Sequence, residues 1–452
     1  MQSQMNAWSQ RLRTRVTRYI GGLLAAALGI CHCASARGFL FGAVTGVISI
    51  PENQTSRLVA ARKIGLNTLR ADAAWKYVET TKGIYRIPPA WDQFVDRANR
   101  QGIQVDLVLD YGNRLYGRGG KPRSPQSIAA FVRYATFVVK HFLGRVRYYE
   151  IWNEWDTHTG GAPAGDATGY SRLFNAVYPA LKRIDPRATF MVTSSSSDPG
   201  YERFYQTLAQ DGLLSRADAV AFHPYDLEEP NYREVIGARG PEVSIQRVIA
   251  LEAMMRQRTG RATVPIYITE IGWPTNRGRF GFPEHDVAAM AERMALMASA
   301  LPYVRGIWWY NLRDSCRDSY NDECRFGLTS PYLSFKPAAY AVQSVASVVR
   351  RDNLVFDPRS DLQSGLVVLD RTNDTGHARI AWYVGTERQG FGNTEGHYAV
   401  RCDPQLSIVR TTLRASALFE PITAVPTEFS YGRPACTRRP LGNLVSTHGG
   451  KP

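Results

Sequence analysis

Short apolar segments alternate with amphipathic segments over most of the chain, from residue 39 to residue 351. The apolar segments are rich in β-branched and aromatic residues and have the length of strands, whereas the amphipathic segments are long enough for helices. The predicted strands are Phe39–Thr45, Thr68–Asp72, Gln104–Asp110, Arg147–Trp152, Thr189–Thr193, Ala219–His223, Ile266–Glu270 and Gly306–Tyr310. The predicted helices include Pro125–Phe142, Thr168–Ile184, Val243–Arg258, Glu284–Ala300 and Pro337–Val349.

Eight strands separated by helices predict a parallel sheet, and eight is the number of strands that closes a (β/α)8 TIM barrel. An open doubly wound sheet is the alternative. A dinucleotide-binding version of that sheet would carry a Gly-x-Gly-x-x-Gly motif after its first strand, and the sequence has none there. We therefore predict an α/β fold in which residues 37–351 form the barrel.

Beyond residue 351 the alternation stops, and short strand-like segments are separated by Gly, Asn, Asp and Pro. The predicted strands there are Leu366–Leu369, Ala378–Val384, Tyr398–Cys402 and Leu406–Leu413. This pattern predicts a small C-terminal all-β, sandwich-like domain over residues 352–452.

The first 36 residues have the arrangement of a secretory signal peptide. Four arginines precede an apolar run over Tyr19–Cys33, and Ala34-Ser35-Ala36 follows it as a small-residue cleavage site. An uncleaved membrane anchor is the alternative, but the run is shorter than the roughly 20 residues that a spanning helix needs. We expect cleavage before Arg37, export to the periplasm or the medium, and no stable membrane anchor.

The composition is that of a globular protein, with 44% hydrophobic and 21% charged residues. The formal charge is +15, and removal of residues 1–36 takes away four arginines and no acid, which leaves +11. Basic charge raises the question of a polyanionic partner. Because the basic residues are dispersed along the chain, we predict a basic surface and no nucleic-acid groove; such a surface suits an acidic polysaccharide.

Four cysteines remain after the predicted cleavage site, and an even number in an exported protein favours disulfides. The pairing between neighbours in the sequence is Cys316–Cys324 and Cys402–Cys436. A zinc site is the alternative, but neither a Cys-x-x-Cys motif nor a nearby pair of histidines supports it.

Two glutamates follow predicted strands at the end of the barrel where chemistry occurs in this fold. Glu154 follows the fourth strand and Glu270 ends the seventh. The sets predicted to point inward are Ile266, Ile268 and Glu270 on the seventh strand, and Glu150, Trp152 and Glu154 on the fourth, because alternate strand residues share a face. Two carboxylates in one cleft are what cleavage of a glycosidic bond requires. Glu150 lies deeper, and we predict that it pairs with a buried cation.

These residues carry a resemblance to a known group of enzymes. Asn153-Glu154 and Glu270 resemble the acid/base motif and the nucleophile of the clan A retaining glycoside hydrolases. The strings EIWNE (150–154) and ITEIGWPT (268–275) are similar to its family 39-like branch, and the chain looks like bacterial endoglycosidases that trim exopolysaccharides. One difference is Trp155, which stands where members of the family often have proline.

The resemblance implies roles for further residues. Arg70 resembles the second-strand arginine that binds the nucleophile, although a structural salt bridge to Glu150 or Asp72 is the alternative. His223 and Tyr225 resemble the sixth-strand pair that lines the site and holds the nucleophile. Asn153 is expected to bind the sugar 2-hydroxyl, a contact that strengthens in the transition state.

Seven aromatic residues follow predicted strands and are candidate platforms on which a sugar ring can stack; core packing is the alternative for each. They are Trp75, Tyr111, Tyr116, Trp155, Trp273, Trp309 and Tyr310. Trp309 and Tyr310 alternate faces, and the resemblance favours Tyr310 as the one that points into the site. The loop after the eighth strand contains Asp314, Asp318, Asn321, Asp322 and Glu323, whose spacing fits no calcium loop and predicts a solvated loop closed by Cys316–Cys324.

The sequence therefore predicts an exported retaining glycoside hydrolase that acts on a polysaccharide or oligosaccharide and uses no metal or organic cofactor. Glu270 is the predicted nucleophile and Glu154 the predicted acid/base. The alternative is a non-catalytic carbohydrate-binding or polyanion-binding envelope protein on the same barrel. Such a protein would keep the aromatic residues but would not need both glutamates.

Overall fold

The computed structural model describes residues 38–47, 54–195, 200–226, 240–278, 281–363, 365–373 and 376–383. Eight parallel strands form a closed barrel, and each strand pairs with the next strand of the chain. They are β1 (Leu40–Val47), β2 (Thr68–Asp72), β3 (Gln104–Leu109), β4 (Tyr148–Ile151), β5 (Thr189–Ser195), β6 (Ala219–His223), β7 (Ile266–Ile271) and β8 (Val304–Trp309). The predicted TIM barrel is confirmed.

Helices follow the strands. They are α1 (Gln54–Ile64), α2 (Trp75–Val78), α3 (Pro89–Arg100), α4 (Pro125–His141), α5 (Ala167–Ile184), α6 (Tyr201–Gln210), α7 (Leu213–Arg216), α8 (Pro241–Thr259), α9 (Glu284–Ala300) and α10 (Pro337–Arg351). The start of α4 shows why the chain becomes helical where it does. Ser124 and Ser127 cap each other's backbone N–H groups, and Pro125 occupies the first turn, where its missing N–H costs nothing.

The core has two layers, separated by the wall of the barrel. The inner layer fills the barrel with Leu40, Val44, Met191, Ala219, Ala221, Tyr267 and Trp308. The outer layer packs the other face of the strands against the helices, as Ile266 and Ile268 of β7 do. Because both faces are covered, the strand sequences are apolar on both sides over much of their length.

The described residues beyond α10 form an antiparallel sheet of three strands, β9 (Asn353–Phe356), β10 (Leu366–Asn373) and β11 (Gly376–Tyr383), with β10 in the middle. Trp382 of β11 donates a hydrogen bond to Glu242 of α8 over 3.0 Å, which ties the sheet to the barrel. A small β unit after the barrel is therefore confirmed. The strands predicted at Tyr398–Cys402 and Leu406–Leu413 lie outside the described residues, so the sandwich and its boundary at residue 352 stay predictions.

Cys316 and Cys324 form a disulfide, as predicted, with their Cα atoms 4.9 Å apart. Cys402, Cys436 and the predicted signal peptide lie outside the described residues. A search of the described part of the chain finds no helix that is both long enough and apolar enough to cross a membrane.

Gly42 provides a test of the packing inside the barrel. A Cβ atom added at Gly42 would lie 2.5 Å from a methyl carbon of Thr68, 2.7 Å from the Thr68 carbonyl oxygen and 2.8 Å from the Trp308 ring. Because overpacking of this kind costs about 1–3 kcal/mol, we expect Gly42→Ala to lower the free energy of unfolding by that amount in denaturant titrations. Gly38→Ala is the control, since nothing lies within 4 Å of its added Cβ. Equal stability of the two variants would contradict the described packing.

Candidate active site

The fourth strand ends earlier than predicted, and the chain then turns sharply. After Ile151, Trp152 has a φ of 74° and Glu154 a φ of 45°, both in the left-handed region that residues with a side chain seldom adopt. Trp152 packs outward against Phe131 and Trp155, with ring centroids 5.9 Å and 5.4 Å apart. The prediction that Glu150, Trp152 and Glu154 share an inward face is therefore wrong for Trp152, because the strand geometry that it assumed stops at Ile151.

The seventh strand also departs from simple alternation. Tyr267 lies in the inner layer, and the hydroxyl of Thr269 contacts His223, whereas Ile266 and Ile268 belong to the outer layer. The pairing of β7 with β8 shifts register between Ile268 and Ile271. Glu270 lies in this irregular stretch, and such an irregularity can redirect a side chain. The predicted inward face of Ile266, Ile268 and Glu270 is wrong for the two isoleucines.

Arg70 of β2 lies at the centre of the site, and its side chain is 1% exposed. One edge of its guanidinium binds the Glu150 carboxylate. Nη1 donates to Oε1 of Glu270 over 2.6 Å, and Nη2 donates to Oδ1 of Asn153 over 2.8 Å. Both contacts weighed from the sequence are present: Arg70 forms the structural pair with Glu150 and also reaches Glu270.

The two candidate catalytic carboxylates lie close together and remain partly accessible. One oxygen of each lies within 4.8 Å of the other and of a His223 ring nitrogen. The Glu154 side chain is 16% exposed and that of Glu270 is 10% exposed, whereas Glu150 is completely buried. Glu150 is therefore a supporting residue that a substrate cannot reach, as its depth in the barrel predicted.

Glu154 is held on both oxygens. Oε1 lies 2.9 Å from Nδ1 of His223, and Oε2 accepts a hydrogen bond from the Thr159 hydroxyl over 3.0 Å. The other nitrogen of His223 lies 3.0 Å from the hydroxyl of Thr269. His223 is completely buried, so these contacts fix its ring.

Glu270 has different partners. Besides Arg70, it accepts a hydrogen bond from the Tyr225 hydroxyl on Oε2 over 3.2 Å, and His223 Nδ1 lies 3.8 Å from the same oxygen. Asn153, which binds Arg70, also donates to the hydroxyl of Tyr111 over 3.0 Å. The structure thus brings Arg70, Asn153, His223 and Tyr225 together around the two carboxylates.

The charges around His223 favour its protonated form. Burial acts to lower the pKa of His223, but the charge of Glu270 and the hydrogen bond and charge of Glu154 outweigh burial, and the pKa is raised. Burial acts to raise the pKa of Glu154, but the hydrogen bond and charge of His223, with Thr159 and Arg70, outweigh it, and the pKa is lowered. Both shifts favour an ionised Glu154 beside a charged His223 in the free site.

Further carboxyl groups line the interior of the barrel near Arg70. Burial raises the pKa of Asp72 to about 6, and it raises those of Asp106 and Asp110 well above the usual range. A single guanidinium cannot neutralise all of the carboxylates around it. The deepest groups therefore keep their protons and leave Arg70 to Glu150 and Glu270.

The predicted aromatic platforms divide into two groups. Trp75, Trp155, Trp273 and Trp309 are buried. Trp155 packs on Trp152 and Tyr170, and Trp309 on Trp273, so the expectation that Trp155 and Trp309 contact substrate is not met in this structure. Tyr111, Tyr116 and Tyr310 are partly exposed. Tyr310 packs against Tyr225, with ring centroids 6.4 Å apart, and the hydroxyl of Tyr225 donates to Glu270.

The acidic loop after β8 is less solvated than predicted. Asp314 is completely buried and forms ion pairs with Lys336 over 3.0 Å and with Arg325 over 3.2 Å. Glu323 is exposed, and the hydroxyl of Tyr310 donates to it over 3.4 Å. The disulfide therefore holds an acidic side chain at the rim beside Tyr310.

Three residues that complete the site were not predicted from the sequence. Thr159 and Thr269 complete the contacts of Glu154 and His223, and Lys121 donates to the carbonyls of Thr157, Thr159 and Gly161, which fixes the loop that carries Thr159. Thr269 could have been found from its position beside Glu270. Neither Thr159 nor Lys121 carries a local signal, because their roles depend on how two loops meet.

Among the described residues, Glu154, His223 and Glu270 also have possible metal-ligand atoms within 4.8 Å of one another. Glu154 already pairs with His223, and Glu270 already pairs with Arg70. These contacts favour proton transfer over metal binding at this site.

Comparisons with solved structures agree with this architecture. A family 39 glycoside hydrolase from the gut symbiont Bacteroides cellulosilyticus WH2 superposes with a TM-score of 0.65 at 23% identity, over 81% of this chain and 74% of that chain. The fold is that of glycoside hydrolase families 39 and 5.

Two further structures support this assignment of the fold. GH5_18 from Streptomyces cattleya, solved in complex with GlcNAc, has a TM-score of 0.57 at 17% identity, over 70% of this chain and 81% of that chain. A monomeric beta-xylosidase from Caulobacter crescentus CB15 has a TM-score of 0.55 at 18% identity, over 76% of this chain and 74% of that chain. No protein-family profile and no curated protein sequence matches the chain.

The charge state of His223 can be tested directly. Because Glu154 contributes a hydrogen bond and a negative charge that raise the pKa of His223, we expect Glu154→Gln to lower that pKa in a histidine side-chain NMR titration. Glu202→Gln, an exposed position on α6, is the control and should leave the pKa unchanged. An unchanged His223 pKa in Glu154→Gln would show that Glu154 does not stabilise the charged imidazole as described.

Proposed function

We propose that the protein is an exported retaining glycoside hydrolase that cleaves O-glycosidic bonds in a polysaccharide or oligosaccharide. The observation that carries the proposal is the pair formed by Glu154 and Glu270, whose nearest oxygens lie within 4.8 Å of each other at the carboxyl-terminal end of the barrel. Retaining enzymes have carboxyl groups about 5–5.5 Å apart, whereas inverting enzymes leave a wider gap for water.

Glu270 is the proposed nucleophile. Arg70 and Tyr225 bind one oxygen each, so the carboxylate is held in a fixed orientation. It attacks the anomeric carbon, the glycosidic bond breaks, and a glycosyl ester forms on Glu270. Esterification removes the negative charge that Arg70, Tyr225 and His223 face in the free site.

Glu154 is the proposed acid and base. Nδ1 of His223 lies 2.9 Å from its carboxylate and is the proposed source of its proton. A bound sugar excludes water from Glu154, which disfavours the ionised carboxylate, so the proton passes from Nδ1 of His223 to Glu154 and then to the leaving oxygen. After the leaving group departs, Glu154 accepts a proton from water, which attacks the ester and releases the sugar with retained configuration.

Asn153 and Tyr310 are proposed to bind the sugar at the cleaved bond. Asn153 is oriented by Arg70 and Tyr111, and its position next to Glu154 suits a contact with the 2-hydroxyl. The ring of Tyr310 packs on Tyr225, and its hydroxyl donates to the exposed Glu323. An aromatic ring next to polar acceptors matches a sugar, which has an apolar face and an edge of hydroxyl groups.

Azide rescue tests the two assignments. A panel of aryl glycosides first identifies a substrate with a good leaving group that the wild-type protein hydrolyses. On it, Glu154→Ala should still form the ester, so azide should restore turnover and give a glycosyl azide of retained configuration. Glu270→Ala leaves space for azide to attack directly, which should give the inverted azide. On unactivated substrate, each variant should lose at least about 10²–10⁴-fold in rate.

Glu202→Ala, which removes an exposed carboxylate from α6, serves as the control and should keep the wild-type rate. Products of swapped configuration would reverse the two roles. Wild-type rates in both Glu154→Ala and Glu270→Ala would refute the proposed site.

A further inference from the structure

A cavity of about 500 Å³ opens at the amino-terminal end of the barrel, where β5 and β6 begin. The catalytic carboxylates lie at the carboxyl ends of the strands, so this cavity is a separate site at the other end of the barrel. Its charged lining consists of five cations and one carboxylate: Lys182, Arg187, Arg216, Arg261, Arg305 and Asp218. The volume is in the range of small-molecule sites.

The one carboxylate of the cavity is already used. Asp218 accepts hydrogen bonds from the ammonium of Lys182 over 3.2 Å, from the hydroxyl of Tyr178 over 3.0 Å and from the backbone N–H of Phe190 over 2.9 Å. Asp218 therefore balances Lys182 and leaves the charge of the four arginines without a counterpart in the lining.

Two of the arginines are fixed in place by the backbone. Arg261 donates to the carbonyls of Leu214 and Ala217 over 2.9 Å and 2.8 Å, and Arg216 donates to the carbonyl of Gly212 over 3.1 Å. Carbonyl oxygens orient a guanidinium but do not cancel its charge. These contacts hold the cations at the cavity with part of their donors free.

The other two arginines have unused donors. Neither Arg187 nor Arg305 forms an ion pair or a side-chain hydrogen bond with any residue that the structure describes. Arg305 lies at an irregularity in the pairing of β7 with β8. Val304 pairs with Ile266 and Gly306 pairs with Tyr267, so Arg305 has no partner residue on β7. Irregularities of this kind re-aim side chains, and here the guanidinium lines the cavity.

We propose that this cavity binds the acidic group of an anionic polysaccharide, with Arg187 and Arg305 as the principal donors. A carboxylate, phosphate or sulfate offers several acceptor oxygens to the forked guanidinium groups, and charge-assisted hydrogen bonds of this type are the strong ones. Binding would also relieve the repulsion among the four arginines. The site would hold a polymer on the protein independently of the catalytic cleft.

The test measures binding to the full protein by calorimetry at constant ionic strength. The probes are inorganic phosphate, a short oligogalacturonate and a neutral oligosaccharide of the same length. We expect saturable binding of one equivalent of phosphate and of oligogalacturonate, and none of the neutral probe. Loss of two charge-assisted contacts in Arg187→Ala/Arg305→Ala should weaken both interactions at least about tenfold.

Arg100→Ala/Arg203→Ala is the matched control, because it removes the same charge from exposed positions on α3 and α6. If both double variants lost affinity equally, the loss would reflect the overall charge of the protein, and the proposed site would be overturned. Non-saturable binding would also overturn it, as would binding of phosphate without binding of oligogalacturonate.

Discussion

The site depends on one buried guanidinium that several acceptors share. Arg70 is enclosed by the barrel and binds Glu150, Glu270 and Asn153 at once. Removing a charge from water is expensive unless the charge is paired and its donors are satisfied, and the flat, forked guanidinium can meet several acceptors in fixed directions. The buried Glu150 offsets the charge of Arg70, and this leaves Arg70 free to orient a second carboxylate that substrate can reach.

The same group links the two proposed catalytic residues through hydrogen bonds. Glu150 accepts from Arg70 and, over 3.4 Å, from the hydroxyl of Thr269, which in turn contacts His223. His223 then contacts Glu154. The proposed nucleophile is therefore bound to Arg70 directly, and the proposed acid is connected to it through a chain of neighbours. This difference in surroundings is the physical basis for the different roles proposed for two chemically identical side chains, because Glu270 faces a permanent cation and Glu154 faces a group that can return a proton.

The fold and the pair of glutamates could be predicted from the sequence because both depend on local patterns. The alternation of strands and helices is long and regular, and Glu154 and Glu270 lie where parallel strands end. The direction of the side chains could not be predicted from alternation. Trp152 leaves strand geometry with a positive φ, and Glu270 lies where the pairing of β7 and β8 shifts register. Both departures occur at the site itself.

Burial was the other property that the sequence could not provide. Trp155 and Trp309 follow strands just as Tyr310 does, yet they fill the space behind the strands, and Asp314 in an apparently solvated loop is enclosed by Lys336 and Arg325. Which of several neighbouring rings or acids meets solvent is decided by how loops from distant parts of the chain pack. Thr159 belongs to the same class, since its contact with Glu154 requires the loop that Lys121 holds.

The central claim is that Glu270 forms a covalent bond with the sugar, and trapping that bond tests it most directly. A 2-deoxy-2-fluoro glycoside with a good leaving group, matched to a substrate that the wild-type protein cleaves, should form the ester and hydrolyse it slowly, because the fluorine destabilises the positively charged transition state. Peptide mass mapping should then find one sugar on the peptide that contains Glu270. A sugar on Glu154 instead, or hydrolysis with inverted configuration and no labelled peptide, would contradict the account.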